Sequence, residues 1–406
     1  MSDHAERPAQ PSVSRRKFLK SAAAGGAAAA SMPMFAMAAD APDKGAQKAA
    51  TTAAPAVVSS SGPQTMRWQS TWPAKDIFHE YALDFAKKVN DMTGGELRIE
   101  VLPAGAVVPA FGLLDAVSKG ALDGGHGVLV YHYGKQNALA LWGSGPAFGM
   151  DANMLLAWHK YGGGRELLNK VYQQLGANVV SFVYGPMPTQ PLGWFKKPIT
   201  KAEDFKGLKF RTVGISIDVF TGLGAAVNAL PGGEIVPAMD RGLIDAAEFN
   251  NASSDRLLGF PDVSKVCMLQ SYHQNAEQFE IMFNKAKFDA LPPRIRATIE
   301  NAVEAASADM SWKAIHRYSQ DYAEMQQKQS VKFYKTPDSV LQRQLTVYDT
   351  AVEKKTAENP MFKEVMESQR RFAERAVRWD LDTNVNRTMA YRHYFAKASA
   401  PAAKKA

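Results

Sequence analysis

A single cysteine, Cys267, stands in 406 residues. That scarcity excludes an intramolecular disulfide and every cysteine-based zinc or iron–sulfur site. Beyond the N-terminal region no segment runs to about 18 uninterrupted apolar residues, the length a membrane helix needs, so the mature chain is expected to be soluble. Catalytic signatures are missing as well: there is no G-x-S-x-G, no P-loop, no H-E-x-x-H and no G-x-G-x-x-G following a strand. Basic residues outnumber acidic ones by only 48 to 40. Residues 1–38 hold five of the basic and two of the acidic side chains, which leaves +5 on the rest without a clustered stripe. Nucleic acid is therefore not an expected partner, and a DNA- or membrane-surface protein would rest on charge alone. With 46% hydrophobic and 22% charged positions, the composition is that of a globular chain and excludes collagen, a coiled-coil rod or full disorder.

The N-terminus is the most legible stretch. Ser14-Arg15-Arg16-Lys17-Phe18-Leu19-Lys20 leads into small, weakly apolar residues, which resembles a twin-arginine export signal. Ala36-Met37-Ala38 offers the small side chains of a signal-peptidase site, with cleavage expected after Ala38 or Ala39. Residues 40–64, rich in Ala, Ser, Thr and Pro, read as a flexible linker.

From there strand and helix patterns alternate. A strand over 66–70 precedes a helix in which Ile77, Tyr81, Phe85 and Val89 recur every four residues, and Gly94-Gly95 stops it. Leu97, Ile99 and Val101 alternate as a second strand, and a helix over 111–119 ends at Gly120. This alternation is the mark of an α/β lobe. The segment from Ala116 to Gly124 is echoed from Ala238 to Ala246: helix end, basic residue, glycine cap, buried strand, aspartate. The echo predicts duplicated lobes. The second lobe opens at Gly193-Trp194-Phe195, passes a short helix over 200–206 and enters a strand over 208–213. There Leu208 and Phe210 point one way and Lys209 and Arg211 the other. A helix starting near Ser216 is placed to aim its amides at the same anion as Arg211. A strand over 279–284 returns to the first lobe. After Leu291 the pattern is helical throughout, with long elements over 297–325 and 361–379, and Phe362, Val365, Phe372, Ala376 and Trp379 form one apolar stripe.

Isolated polar candidates carry little. Gly124-Gly125-His126-Gly127 reads as a close-packing turn, and His126 and His132 as structural histidines. Glu277 and Glu280, three apart on a strand, face opposite sides and make no carboxylate pair.

A set of motifs in the second half is more specific. Tyr161-Gly162-Gly163-Gly164, Gln190-Pro191-Leu192-Gly193-Trp194-Phe195, Gly207-Leu208-Lys209-Phe210-Arg211, Gly232-Gly233-Glu234-Ile235-Val236-Pro237-Ala238 and Gly242-Leu243-Ile244-Asp245-Ala246-Ala247-Glu248-Phe249 follow in this order. Together they make the chain resemble the periplasmic solute-binding proteins of tripartite ATP-independent (TRAP) transporters, in the branch that binds 2-oxo acids and related monocarboxylates with a metal ion. The likeness runs from about Met66 to Tyr394.

The resemblance implies an α/β, two-lobed clamshell with long connecting and C-terminal helices. Its parts would be a signal peptide over 1–39, a linker over 40–64, lobe I over 65–190 completed by about 279–310, lobe II over 191–278, a helical region over 311–396 and a flexible tail over 397–406. It also implies a periplasmic binder rather than an enzyme, with the two TRAP membrane subunits as partners and a homodimer through the C-terminal helix. Arg211 would grip the substrate carboxylate with two parallel donors. Gln190, Glu248, the backbone oxygen of Phe249 and Gln274 would hold the cation, and oxygen-only ligation suits Na⁺ or Ca²⁺. Gln190, Phe249, Asn250 and Tyr133 are further expected substrate contacts, and Trp72, Tyr131 and Trp194 are candidates for the pocket wall. Two departures stand out: Phe249 replaces a usual Trp, and Gln274 replaces a usual Glu. With that Glu gone, Arg211, Glu248, a monocarboxylate and Na⁺ sum to zero, whereas Ca²⁺ leaves one positive charge. Glu277 is a fallback ligand, with a surface carboxylate as its simpler reading. The competing function is an exported metal-dependent enzyme acting on a carboxylate, which would need a general base that cation-bound Glu248 is poorly suited to supply.

Overall fold

The computed structural model describes residues 62–395. The signal segment, nearly all of the linker and the tail over 397–406 lie outside the described residues. Two sheets organise the rest. The first has five strands in the order β2-β1-β3-β10-β4, with β1 Gln64–Ser70, β2 Leu97–Leu102, β3 Gly124–Val128, β4 Val179–Met187 and β10 Glu277–Asn284. The second has six in the order β11-β9-β5-β8-β6-β7, with β5 Gly193–Phe195, β6 Lys209–Arg211, β7 Ala226–Asn228, β8 Ala246–Ala247, β9 Val266–Leu269 and β11 Lys332–Lys335.

The sheets repeat one plan. β1 runs parallel to both β2 and β3, as β6 does to β7 and β8, and an antiparallel strand follows each time. The echoed sequences hold the same geometry. Gly120 and Gly242 take left-handed φ of 77° and 71° at their helix ends. The Asp123 carboxylate then accepts the Arg67 amide at 2.8 Å, and the Asp245 carboxylate accepts the Lys209 amide at 3.1 Å. Each aspartate therefore clips the start of its strand to the parallel neighbour, β3 to β1 and β8 to β6.

Local chemistry explains the elements. Asp76 caps the helix Ile77–Met92 by accepting the Phe78 amide at 3.1 Å. Ile77, Phe78, Tyr81, Phe85 and Val89 form its buried face, each worth roughly 1.5–3 kcal/mol on full burial. Gly124 has to be glycine, because a Cβ there would sit 2.3 Å from the Trp68 ring and 2.6 Å from the Met282 carbonyl oxygen. The close-packing reading agrees with this, but the segment is the strand β3 and not a turn, because it pairs with β1 and β10. His126 is structural, accepting from the Trp72 indole at 2.8 Å and pairing with the Tyr184 hydroxyl at 2.5 Å. Cys267 is buried in β9.

Several sequence expectations change. The region after 291 is not wholly helical: Lys332–Lys335 is a strand on the edge of the second sheet, parallel to β9. The helix over 111–119 divides into a 3₁₀ turn, Ala110–Gly112, and a helix, Leu113–Ser118. A helix at Asp338–Glu358 stands between the two long ones, Pro293–Lys328 and Pro360–Thr383. Phe362 and Val365 are buried, but Trp379 at the end of the same stripe is 66% exposed, because the last turns of its helix run past the body of the protein.

Two short crossovers join the sheets, at 188–192 from β4 to β5 and at 270–276 from β9 to β10, and the helix Pro293–Lys328 makes a third passage, from β10 to β11. Both short crossovers carry a glutamine, Gln190 and Gln274, at the junction of the two lobes. The helix Pro293–Lys328 packs on β4, on the helix Ile77–Met92 and on the helix Ala252–Leu258, and so braces both sheets.

Candidate functional site

Arg211 ends β6, where its neighbours Ala247 of β8 and Asn228 of β7 flank it. Phe210 points into the second lobe and stacks on Phe195 with centroids 5.8 Å apart. Alternation sends Arg211 the other way, yet the side chain is buried, because at the strand end that face turns into the gap between the lobes. Its Nε donates to the Leu230 carbonyl at 2.8 Å, and its Nη1 to the Glu248 carbonyl at 3.1 Å and to Glu248 Oε1 at 2.8 Å. Nη2 has no partner although it is buried. The fork is thus half committed: only the two N–H groups of Nη2 are free to meet a ligand.

Arg211 borders a small, tight cavity of about 20 Å³. Its apolar wall is Trp72, Phe78, Val128, Tyr131, Val213 and Phe249, and its polar lining is Gln190, Arg211, Asn250, Gln274 and Glu277. The Phe249 ring lies 5.7 Å from the Arg211 guanidinium carbon. Gly232 makes room for that ring, since a Cβ at 232 would come within 2.6 Å of it.

Glu277, the first residue of β10, is only 3% exposed, so it is not the surface carboxylate that its simpler reading suggests. Its Oε2 accepts Gln190 Nε2 at 2.7 Å and Asn250 Nδ2 at 3.4 Å. Burial pushes its carboxyl well above the usual range and the Glu248 charge adds to this, while Arg211 and the Gln190 hydrogen bond oppose it. Glu280 faces the other side, bonded to Tyr172 and to Ser181; the two glutamates make no pair.

Gln190 and Gln274 each leave a buried amide oxygen, Oε1, without a hydrogen-bond partner. Orphaned polar atoms are rare in folded chains, and here two acceptors and one cationic donor share a single small cavity. The residues fit a hard cation lying beside an anion, with amide and carboxylate oxygens on one side and a guanidinium on the other.

Some sequence-named residues lie elsewhere. Tyr133 is drawn away from the cavity: its hydroxyl donates to Asp218, and Lys355 lies 5.3 Å from its ring centroid. Tyr131, two residues earlier, borders the cavity as expected. Trp194 is held in the second lobe by its indole bond to Asp255 at 2.8 Å and by packing near Phe260. The Glu248 side chain is not part of the cavity lining. One carboxylate oxygen pairs with Arg211, and the other lies 3.8 Å from His273 Nε2. The start of the helix Ser216–Gly222 does not reach the cavity either, because Ser216 Oγ donates to the His273 carbonyl at 2.7 Å.

A two-lobed α/β receptor for a small charged solute is the class that this fold and cavity define. The family model described as bacterial extracellular solute-binding protein, family 7, matches residues 69–359, and the chain belongs to that family, the periplasmic solute-binding proteins of TRAP transporters. These are receptors and not enzymes. A monocarboxylate 2-oxoacid-binding periplasmic protein of Nostoc sp. is 35% identical over 252 residues, which is 62% of this chain and 68% of the relative. A TRAP solute-binding protein of Colwellia psychrerythraea, solved with bound calcium and pyruvate, superposes with a TM-score of 0.75 at 30% identity over 82% of this chain and all of the other. One from Pseudoalteromonas atlantica, solved with sodium and pyruvate, gives 0.75 at 28% identity over 82% and 99%.

Proposed function

We propose that this receptor binds a 2-oxo acid or related small monocarboxylate together with a cation, Na⁺ or Ca²⁺, and delivers it to the membrane subunits of a TRAP transporter. One observation carries the reading: Arg211, Gln190 and Gln274, each with a buried unpartnered polar atom (Nη2, Oε1 and Oε1), line the same cavity. A carboxylate satisfies the first and a cation the other two, so each neutralises groups that would otherwise be costly to bury. Of the cation ligands expected from the family, Gln190, Gln274 and Phe249 border the cavity, which supports the reading, while Glu248 pairs with Arg211. Gln190 and Gln274 would hold the cation, which would supply positive charge beside the carboxylate. Arg211 orients the anion, and Trp72 and Phe249 shut out water. Hinge motion at the two crossovers would open and close the clamshell.

The test is calorimetry of the mature protein with pyruvate, lactate, longer 2-oxo acids and succinate, with Na⁺ or Ca²⁺ present or chelated. A monocarboxylate should bind about tenfold more weakly once cations are removed. Equal affinity without cation would refute the bridge, and chemical turnover of the bound acid would favour the enzyme reading.

Two further parts belong to the same proposal. Export proceeds by the twin-arginine route, so lysines in place of Arg15 and Arg16 should leave the protein in the cytoplasm. A second copy of the chain covers the C-terminal helices, where Trp379, Leu381, Val385, Met389, Tyr391 and Tyr394 are exposed.

A further inference from the structure

Glu277 is the one acidic residue among those lining the cavity, which the Glu248 side chain does not reach. It stands three residues after Gln274. Its Oε2 is held by Gln190 and Asn250, while its Oε1 accepts no hydrogen bond among the described residues. Gln190 is thereby fixed in orientation: its NH₂ group is spent on Glu277, which leaves Oε1 as the unpartnered end. Gly143 makes room for the acid, since a Cβ there would lie 2.7 Å from Glu277 Cγ.

We infer that Glu277 is a cation ligand and makes this chain's site selective for a divalent ion, Ca²⁺ over Na⁺. This rests on the reading of the cavity as a carboxylate-and-cation site. Charge count carries the selectivity. Without Glu277 a monovalent ion balances Arg211, Glu248 and a monocarboxylate. With Glu277 counted as ionised once it ligates a cation, which displaces the proton that burial favours, and with histidine counted as neutral, these groups sum to two negative charges, which a divalent ion cancels and a monovalent ion leaves half compensated. In a site closed to water such a residue is expensive. The donor set agrees: Gln190 Oε1, Gln274 Oε1 and the Glu277 carboxylate, joined by ligand oxygens, suit the roughly six to eight hard oxygens that Ca²⁺ accepts.

The test compares wild type with Glu277→Gln, which keeps the shape of the side chain. Pyruvate affinity is measured by calorimetry in equimolar Ca²⁺ or Na⁺ after chelator treatment, and ⁴⁵Ca²⁺ retention by equilibrium dialysis without pyruvate. Wild type should bind pyruvate about tenfold or more tightly with Ca²⁺ than with Na⁺, and E277Q should lose that preference while still binding in Na⁺. A wild type that binds as well in Na⁺ as in Ca²⁺ overturns the inference without any variant. An E277Q protein with undiminished Ca²⁺ preference overturns it too, and leaves the carboxylate reading standing. If pyruvate binds in neither ion, the carboxylate reading has failed; dialysis then decides the role of Glu277, with Ca²⁺ retained by wild type and lost by E277Q in its favour and equal retention against it.

Discussion

The backbone amide of Gln190 donates to the carbonyl oxygen of Gln274 at 3.2 Å, so the two crossovers between the lobes are tied to each other at the residues whose side chains enter the cavity. Gly145 fastens the second crossover from the other side, giving its amide to His273 and accepting from Asn275. The crossovers and the cavity lining thus share residues. A ligand that grips both glutamine side chains acts directly on the segments about which the lobes would turn.

The Arg211–Glu248 pair predicts how the site fails. Arg211→Ala removes one partner of a fully buried ion pair and strands a carboxylate, so it should cost about 3–5 kcal/mol of stability as well as the ligand. Adding Glu248→Gln removes the stranded charge and should recover much of that stability while leaving carboxylate affinity low by about tenfold or more. Chemical unfolding and calorimetry on the two variants separate the effects. An Arg211→Ala protein as stable as wild type would show that Glu248 is not buried against it.

Asp255 predicts a pH dependence of stability. Burial pushes its carboxyl up to about 7; the bonds from Trp194 and Asn250 pull it down, and the Glu248 charge raises it further. Between the unfolded value of about 3.9 and about 7 the folded chain keeps a proton that the unfolded chain has released. Its contribution is therefore complete at low pH and is lost as pH rises through that window. Urea unfolding of wild type and Asp255→Asn between about pH 4 and 8 should show the wild-type advantage shrinking toward pH 7 and level above it. A difference that grows with pH would contradict the assignment.

The exposed apolar residues on the C-terminal helices predict self-association. Trp379→Ser combined with Met389→Ser should convert a dimer to a monomer in light scattering behind a sizing column, and carboxylate affinity should change by less than about threefold. A wild type that is monomeric at tens of micromolar would remove the second copy from the proposal.

Much of the frame can be read from residues alone, and the exceptions have physical causes. Apolar spacing marks the helix from Ile77, and the glycine-capped echo marks two sheets of one plan, because both patterns are local. Arg211 is legible as the last residue of an alternating strand inside a specific motif. Glu277 is not: strand alternation separates it from Glu280 but cannot say which face is the cavity, since that depends on how a crossover delivers β10 between β3 and β4. Tyr131 borders the cavity as expected and Tyr133 does not, because the chain there leaves β3 for a 3₁₀ turn, Leu129–His132, where alternation no longer assigns sides. Lys332–Lys335 is four residues long between two long helices, too short for its period to register, and its pairing with β9 is non-local.

The place of β10 in the first sheet carries a consequence for biosynthesis. It lies between β3 and β4, antiparallel to both, and ends at Asn284. A nascent chain that has emerged only through the second lobe still exposes two unzipped strand borders in the first, an invitation to mispairing and aggregation. The first lobe closes only after the second has been made, so a ribosome stalled anywhere before codon 284 would yield no half-receptor with an intact first sheet.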